Sequence, residues 1–464
     1  MSHATYDVVI AGGGPAGSTA ATFLAKAGKR VLLLERERFP RFHIGESLLP
    51  YNNDVLRELG VWNKLENGGF MPKPGAEFYL GNATKVHRFW FSKNLPGPYG
   101  STFQVERARF DELLLDHAAE CGAEVHEEAR VTHVETDADG VRIAWEQDGA
   151  THSAAARWMI DATGRDALVG KTLGIPRHDN GFPKRVAVYS HFTGVRRNEG
   201  EAAGMITIVR IEDGWFWIIP LDEEKTSVGL VQSLAGFKAK NRTPQEEFEA
   251  TVQACTELRF RFKNATRATD FHVTGDYCYR HRTLAGPRYL LAGDAGGFID
   301  PIFSSGVMLA MRSARLAAKT ILAQEVAARV GASLSAAAPL SAPLTGWQQK
   351  QYSKAVYHMM DTYANMIRMY YDNTAFEVFM NPAPWLQLPR AILAIVAGKT
   401  DLEWPLWWRM KVFYAICQLQ KYMPISPRIN YKDVMPSTGR NARKVVKRDL
   451  DSPPAATTTA GPAA

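Results

Sequence analysis

The first thirty-five residues carry a sharp alternation of apolar and small residues. Tyr6–Ala11 is a short apolar run, rich in β-branched residues, that stops at three glycines. Residues 15–27 are small and helix-favouring, and 30–34 are apolar again before Glu35. Strand, tight turn, helix, strand is the order of a βαβ unit. Later patterning predicts strands over 124–127, 132–135, 141–146 and 158–162. The stretches 76–80, 185–195, 204–211 and 215–220 alternate or carry aromatics, with turn residues between them. They predict a second, mostly antiparallel sheet inserted into the first domain.

Residues 289–292 return to a buried-strand pattern, followed by a glycine turn and a helix over 307–328. Residues 332–343, rich in Ala, Ser and Pro, read as a surface linker. Residues 345–422 are helical in pattern and heavy in Trp, Tyr, Met and Phe. The expected class is α/β (α+β): a discontinuous Rossmann-like dinucleotide-binding domain (1–75, 100–180, 270–330), an antiparallel sheet (76–99, 181–269), a helical C-terminal region (345–435) and a flexible tail (436–464).

Composition narrows the class. A chain of 464 residues, 46% hydrophobic and 22% charged, has ample core for two or three packed units. Its four cysteines, Cys121, Cys255, Cys278 and Cys417, are far apart with no CxxC, so neither a disulfide framework nor a zinc ribbon is expected, and no metal. The N-terminus lacks the basic and apolar regions of a signal peptide, and no apolar run nears the roughly 18 residues of a membrane span. A cytoplasmic location is expected. The net charge of +7 is partly local, from Arg440, Arg443, Lys444, Lys447 and Arg448 before a Pro/Ala/Thr tail. No readout motif accompanies that patch, so no nucleic-acid partner is expected.

Gly12-Gly13-Gly14-Pro15-Ala16-Gly17 is a GxGxxG between strand and helix, with Ser18 next in the helix. The first glycine permits the turn, the second lets a pyrophosphate approach the backbone, and the third packs helix on strand. The helix N-terminus supplies N–H groups and positive potential. Glu35, 18 residues past Gly17, stands where a carboxylate binds a ribose hydroxyl.

Later segments resemble the p-hydroxybenzoate-hydroxylase type of FAD fold. Trp158-Met-Ile-Asp161-Ala-Thr-Gly-Arg165 is similar to its strand-end motif, and Leu291-Ala-Gly-Asp294-Ala to its second fingerprint, whose aspartate holds the ribityl chain. Val105-Glu-Arg107-Ala-Arg-Phe-Asp111 resembles the helix start that contacts FAD through the arginine, and Val131 falls where a backbone amide meets the adenine. Within that group, Trp215-Phe-Trp217-Ile-Ile-Pro220 matches the WxWxIP signature of flavin-dependent halogenases. Phe298-Ile-Asp-Pro301-Ile-Phe-Ser304-Ser305-Gly306 fits their FxxPxxSxG pattern. Lys73 lies where they carry a catalytic lysine, and His43-Ile44-Gly45-Glu46 resembles their flavin-contacting strap. Singly, each motif has an ordinary reading as core, loop or helix cap; together and in order they resemble that family over about the first 320 residues.

The resemblance implies FAD, used as FADH2, together with O2 and chloride or bromide. A flavin C4a-hydroperoxide would be attacked by halide bound at the Ser305 and Gly306 amides, and the resulting hypohalous acid would act through Lys73. Gly306 would also contact the cofactor, and Trp215, Trp217 and Pro220 would keep substrate from flavin. No second GxGxxG is present, so a separate flavin reductase is implied as partner. Tryptophan halogenases carry a glutamate where this chain has Phe303, which points to a phenol or pyrrole, free or tethered to a carrier protein. The alternative is a flavin monooxygenase or a geranylgeranyl-reductase-like enzyme on the same fold. No general base beyond Lys73 is identified; Asp361, Tyr363 and Glu377 lie in the aromatic C-terminal region without an assigned role.

Overall fold

A computed structural model describes residues 6–82, 85–137, 139–179, 181–275, 278–334, 342–382 and 385–434. Most of the expected linker, and the tail with its basic patch, lie outside these residues. Two compact units are formed, one from 1–68, 106–181 and 278–364, the other from 69–105, 182–277 and 365–464.

The first unit is built on a seven-stranded sheet. Tyr6–Ala11 pairs in parallel with Val31–Leu34 on one side and with the end of Ala150–Asp161 on the other. Glu124–His126 and Tyr289–Leu291 extend the parallel part. Val8, Val9 and Ile10 are wholly buried, as are Leu32 and Leu33: Val9, Leu32 and Leu34 pack with Val134, Val141, Ile143 and Trp145 of the antiparallel strands, and helix Pro15–Lys26 packs on Val31–Leu34. The first half of Ala150–Asp161 instead forms an antiparallel hairpin with Val141–Gln147, which pairs onward to Arg130–Thr136. One twelve-residue strand therefore serves both parts of the sheet. Its opening, Ala-Thr-His-Ser-Ala-Ala-Ala, has no apolar alternation, so the patterning predicted only its end. Helix Pro15–Lys26 packs against the 29-residue helix Gly306–Leu334.

In the second unit an eight-stranded sheet runs Thr266–Arg267, Arg185–Thr193, Thr226–Ser233, Gly214–Pro220, Ile206–Ile211, Gly75–Leu80, Val86–Trp90, with His272–Gly275 also on Arg185–Thr193. Every pairing is antiparallel except Ile206–Ile211 with Gly75–Leu80. One face packs Phe216, Phe192, Leu230 and Val228 against Phe248 and Leu258.

The unit boundaries differ from those read in the sequence: residues 69–75, 100–105 and 270–275 fall in the second unit, and the C-terminal region is divided. Residues 69–75 group with the antiparallel sheet, because Met71–Lys73 pairs with Thr102–Gln104 and Gly75 opens a strand of that sheet. The C-terminal region divides inside helix Gly346–Tyr371. Its first part is tied into the first unit by Tyr352, whose hydroxyl donates to the Leu291 carbonyl at 2.8 Å. Its last residues join the aromatic packing of the second. Among the described residues no helix is long and apolar enough to cross a membrane.

Candidate active site

In the first unit a cradle forms where the Tyr6–Ala11 strand runs out. Gly12 has φ +100, and a Cβ there would lie 2.4 Å from the Ala162 carbonyl oxygen. A Cβ on Gly17 would lie 1.7 Å from the carbonyl oxygen of Gly12, so the helix meets the strand end backbone to backbone. Gly14 is the N-cap and Pro15 the first helical residue, whose missing N–H costs nothing there. Ala16 is buried beside them.

Two expected ligand contacts are partly spent on the loop itself. The Ser18 hydroxyl donates to the Gly13 carbonyl at 2.7 Å. The Glu35 carboxylate accepts from Gly13 N at 2.6 Å and from Glu37 N at 2.9 Å. Each carboxylate oxygen keeps a second lone-pair direction, which is what a ribose hydroxyl needs. Val131 is half-buried and sits immediately before an irregularity in the pairing of its strand, between Val131 and His133.

Arg107 opens helix Arg107–Glu120 and holds Asp111 in a fork, with Nε–Oδ1 at 2.7 Å and Nη2–Oδ2 at 2.8 Å. Its Nη1 donates to the Ile44 carbonyl at 2.7 Å. Gly45, at φ +108, passes so near that a Cβ would lie 3.0 Å from that same nitrogen. Burial works against the Arg107 charge, but Asp111 outweighs it and holds the guanidinium above its ordinary range. Asp294, in the turn Gly293–Ala295, is pushed up to about 6: burial raises it while Arg107 and Arg165 pull it down. The turn is fixed by Tyr279, whose hydroxyl donates to the Asp294 carbonyl at 2.6 Å.

Ser304 adopts the left-handed conformation, φ +56, which turns the chain into helix Gly306–Leu334. Ser305 is buried, and its hydroxyl has no hydrogen-bond partner among the described residues. Its carbonyl already accepts from Leu309 N at 2.9 Å, so the first N–H groups of a long helix begin at this point. A Cβ on Gly306 would meet no described residue within 4 Å beyond its chain neighbours and its own helix backbone. Tight backbone approach, one side open for a ligand, a buried hydroxyl in want of a partner and a carboxyl held close to neutral pH together fit a flavin dinucleotide.

In the second unit Lys73 is 1% exposed. Burial lowers its pKa from 10.5 to about 7, and its Nζ lies 5.7 Å from the centroid of the Phe91 ring. The strand that carries it is pinned by Gly204, where a Cβ would lie 1.7 Å from the Pro72 carbonyl oxygen, and by Gln104, whose Nε2 donates to the Gly204 carbonyl at 3.0 Å. Trp215 and Trp217 stand two apart on one strand, rings 5.9 Å apart and inclined at 50°. Both indole N–H groups are satisfied: Trp215 donates to the Tyr371 hydroxyl at 2.8 Å, Trp217 to the Ser227 hydroxyl at 3.1 Å. Pro220 closes that strand, buried opposite Thr226.

Sequence reasoning did not find Gly204, Gln104, Ser227, Gly229 or Tyr371. Gly204, Gln104 and Tyr371 act between segments a hundred residues or more apart, and Ser227 and Gly229 through the pairing of adjacent strands, so nothing in their local spacing marks them. Glu377 is a brace, accepting from Gln420 Nε2 at 2.8 Å, Arg428 Nη1 at 3.0 Å and Ile429 N at 3.0 Å. Asp361 pairs with Arg280 at 3.0 Å, and Tyr363 is fully buried.

Residues 5–335 match the FAD binding domain family. The flavin-dependent halogenase armH3 of Armillaria mellea is 36% identical over 342 residues, 68% of this chain and 67% of that one. The 1H-pyrrole-2-carbonyl-(peptidyl-carrier protein) chlorinase of Pseudomonas fluorescens is 34% identical over 346 residues, 69% of this chain and 77% of that one. Among solved structures, a flavoprotein/dehydrogenase from Cytophaga hutchinsonii superposes with a TM-score of 0.80 at 29% identity, covering 90% of this chain and 99% of that one. The chain is an FAD-binding enzyme and belongs to the flavin-dependent halogenases.

Proposed function

We propose that the enzyme halogenates an electron-rich aromatic ring, a phenol or a pyrrole, using chloride or bromide and O2. The observation that carries this reading is the buried Lys73 with its pKa near 7. Reduced FAD, when bound, supplies the two electrons that activate oxygen for oxidation of the halide. In this reading Gly12, Gly14, Pro15, Ala16, Gly17 and Ser18 hold the pyrophosphate and Glu35 a ribose hydroxyl. Val131 meets the adenine, Asp294 takes the ribityl hydroxyls, and Ile44, Gly45 and Arg107 form the strap beside the ring system.

The Ser305 and Gly306 amides, at the positive end of a 29-residue helix, bind the halide. Lys73 then takes the oxidised halogen. With hypohalous acid, its neutral amine forms an N–halogen bond, loses one proton and releases water; the halogen then passes to the ring carbon as an electrophile, the N–halogen electron pair stays on nitrogen, and the proton the ring carbon loses restores the amine. A lysine at its ordinary pKa would be almost wholly ammonium at neutral pH and could not do this, whereas burial, by lowering that pKa to about 7, makes the neutral amine available there. The Trp215, Trp217 and Pro220 strand acts as a wall that separates ring substrate from flavin and so favours halogenation over oxygen insertion.

The substrate class follows from two supports. Phe303, buried at the position where a tryptophan halogenase carries a ring-orienting glutamate, leaves activation to the substrate's own hydroxyl or ring nitrogen. The chlorinase relative acts, by its name, on a pyrrole carbonyl held by a peptidyl-carrier protein. We infer a carrier-held pyrrole as the first substrate to offer, and a net charge of +7 suits an acidic carrier. A separate flavin reductase supplies FADH2.

The test is mass spectrometry of products from the purified enzyme with a flavin reductase, NADH, FAD and bromide. It would be run against pyrrole-2-carbonyl carrier protein and against a set of free phenols and pyrroles. Brominated product from any of these supports the reading, and the carrier-held pyrrole is expected to react best. Oxygenated product without bromine, formed equally without bromide, would overturn it in favour of a monooxygenase.

A further inference from the structure

Both tryptophans of the wall are almost wholly buried, at 1% and 6% exposure, so each indole N–H needs an acceptor inside the protein. The two find theirs in different ways. Trp217 donates to Ser227 on the adjacent strand, ten residues away, so the sheet that carries the ring also fixes it. Trp215 donates to Tyr371, 156 residues later and outside residues 5–335 that match the FAD binding domain. An indole has one donor, on one edge. Its bond to a fixed acceptor therefore selects one of the two broad ring orientations and disfavours the flipped one.

Tyr371 is itself held firmly. It is the last residue of helix Gly346–Tyr371, and the Arg185 guanidinium lies over its ring, 3.6 Å from the centroid. Tyr370 meets it edge-on with centroids 5.4 Å apart. The Tyr370 carbonyl accepts from Arg210 Nη1, and Asn373 Oδ1 accepts from Arg210 Nη2 at 2.7 Å. Arg210 stands on strand Ile206–Ile211 directly opposite Trp215 in the pairing register. One buried cation thus ties the helix end to the strand beside the tryptophan that this helix end orients.

We propose that Tyr371 is a positioning residue, whose hydroxyl fixes the Trp215 indole and through it the coupling of flavin oxidation to halogen transfer. This rests on the reading of Trp215 and Trp217 as the wall between substrate and flavin. It assigns to the C-terminal helix a role in the reaction's specificity.

The experiment uses the full chain with 15N-labelled tryptophan, and the Trp215→Phe and Trp217→Phe variants assign the two indole N–H resonances. Tyr371→Phe keeps the ring and its contact with Arg185 and removes only the oxygen. The Trp215 resonance is expected to move upfield and its exchange with D2O to quicken about tenfold, as for loss of one ordinary hydrogen bond; the Trp217 resonance stays. An unmoved Trp215 resonance would overturn the proposal. In the bromide assay, brominated product per NADH consumed is expected to fall in Tyr371→Phe, and the Tyr371→Phe/Trp215→Phe double variant to match Trp215→Phe alone. Losses that multiply in the double variant would show that Tyr371 does not act through Trp215. If wild type brominates nothing, the halogenase reading fails, while the resonances still decide the link between Tyr371 and Trp215.

Discussion

The indole of Trp217 lies flat across Gly229 on the neighbouring strand, so near that a Cβ at Gly229 would sit 2.2 Å from its ring. A glycine inside a strand otherwise weakens it; here it is the space the ring occupies. Gly229→Ala must push the ring aside. The expected cost is about 1–3 kcal/mol, the usual range for overpacking a core, read by urea denaturation, with a changed near-UV circular dichroism spectrum. An alanine variant as stable as wild type with an unchanged spectrum would show that the ring has room to move.

Lys73 links chemistry to stability with opposite signs. The unfolded chain keeps this proton up to about pH 10.4, whereas the folded chain gives it up near 7. Between those values the unfolded state binds more protons, so the lysine's contribution to stability rises with pH; below about 7 both states are charged and the burial penalty is present in full. Lys73→Met removes the penalty. It is expected to melt higher than wild type at pH 6, with the gap closing toward pH 10, and to lose halogenation by a factor of about a thousand or more. Wild-type halogenation is expected to rise through pH 7 as the amine forms.

Asp294 gives the mirror case. Its carboxyl is raised to about 6 in the folded protein, so between roughly pH 4 and 6 the folded state holds the extra proton and stability falls as pH rises. In the flavin-free protein Asp294→Asn is expected to be more stable than wild type at pH 7 and equal to it near pH 4. The same change is expected to weaken FAD binding, measured by flavin fluorescence, because an acceptor for the ribityl hydroxyls is lost. Equal melting curves at pH 7 would contradict this assignment of Asp294.

The strand, turn and helix that form the cradle are legible in the sequence, because that geometry is local. Gly12, Gly17, Pro15 and Glu35 lie within twenty-four residues, and their chemistry depends on one turn of chain. The lysine strand was legible only as a motif. The sequence pattern groups Lys73 with the dinucleotide-binding segment, because nothing between Gly69 and Gly75 shows that its strand pairs with Thr102–Gln104 and rests on Gly204. Thr226–Ser233 and Val86–Trp90, strands of the second sheet, carry too little alternation to stand out. The partners of the two tryptophans were out of reach for the same reason. Tyr371 is one of sixteen Phe, Trp and Tyr residues between 345 and 435, and only the fold singles it out.

Gly306 separates folding from ligand binding. A methyl group there meets no described residue within 4 Å beyond its chain neighbours and its own helix backbone, so Gly306→Ala is expected to melt within a degree or two of wild type. It places that methyl in the open space ahead of the helix N-terminus, where the reading puts flavin and halide. The expected result is at least a tenfold rise in the bromide concentration needed for half-maximal rate. Unchanged bromide dependence would remove Gly306 from the halide site.

The most direct test of the whole account is the mass spectrum of the product formed by wild type and by Lys73→Met side by side, with bromide, a flavin reductase, NADH and FAD. The account predicts the paired isotope peaks of a monobrominated ring in wild type and none in the variant, while both consume NADH and oxygen. Equal brominated product from the two proteins would contradict the role given to the buried lysine.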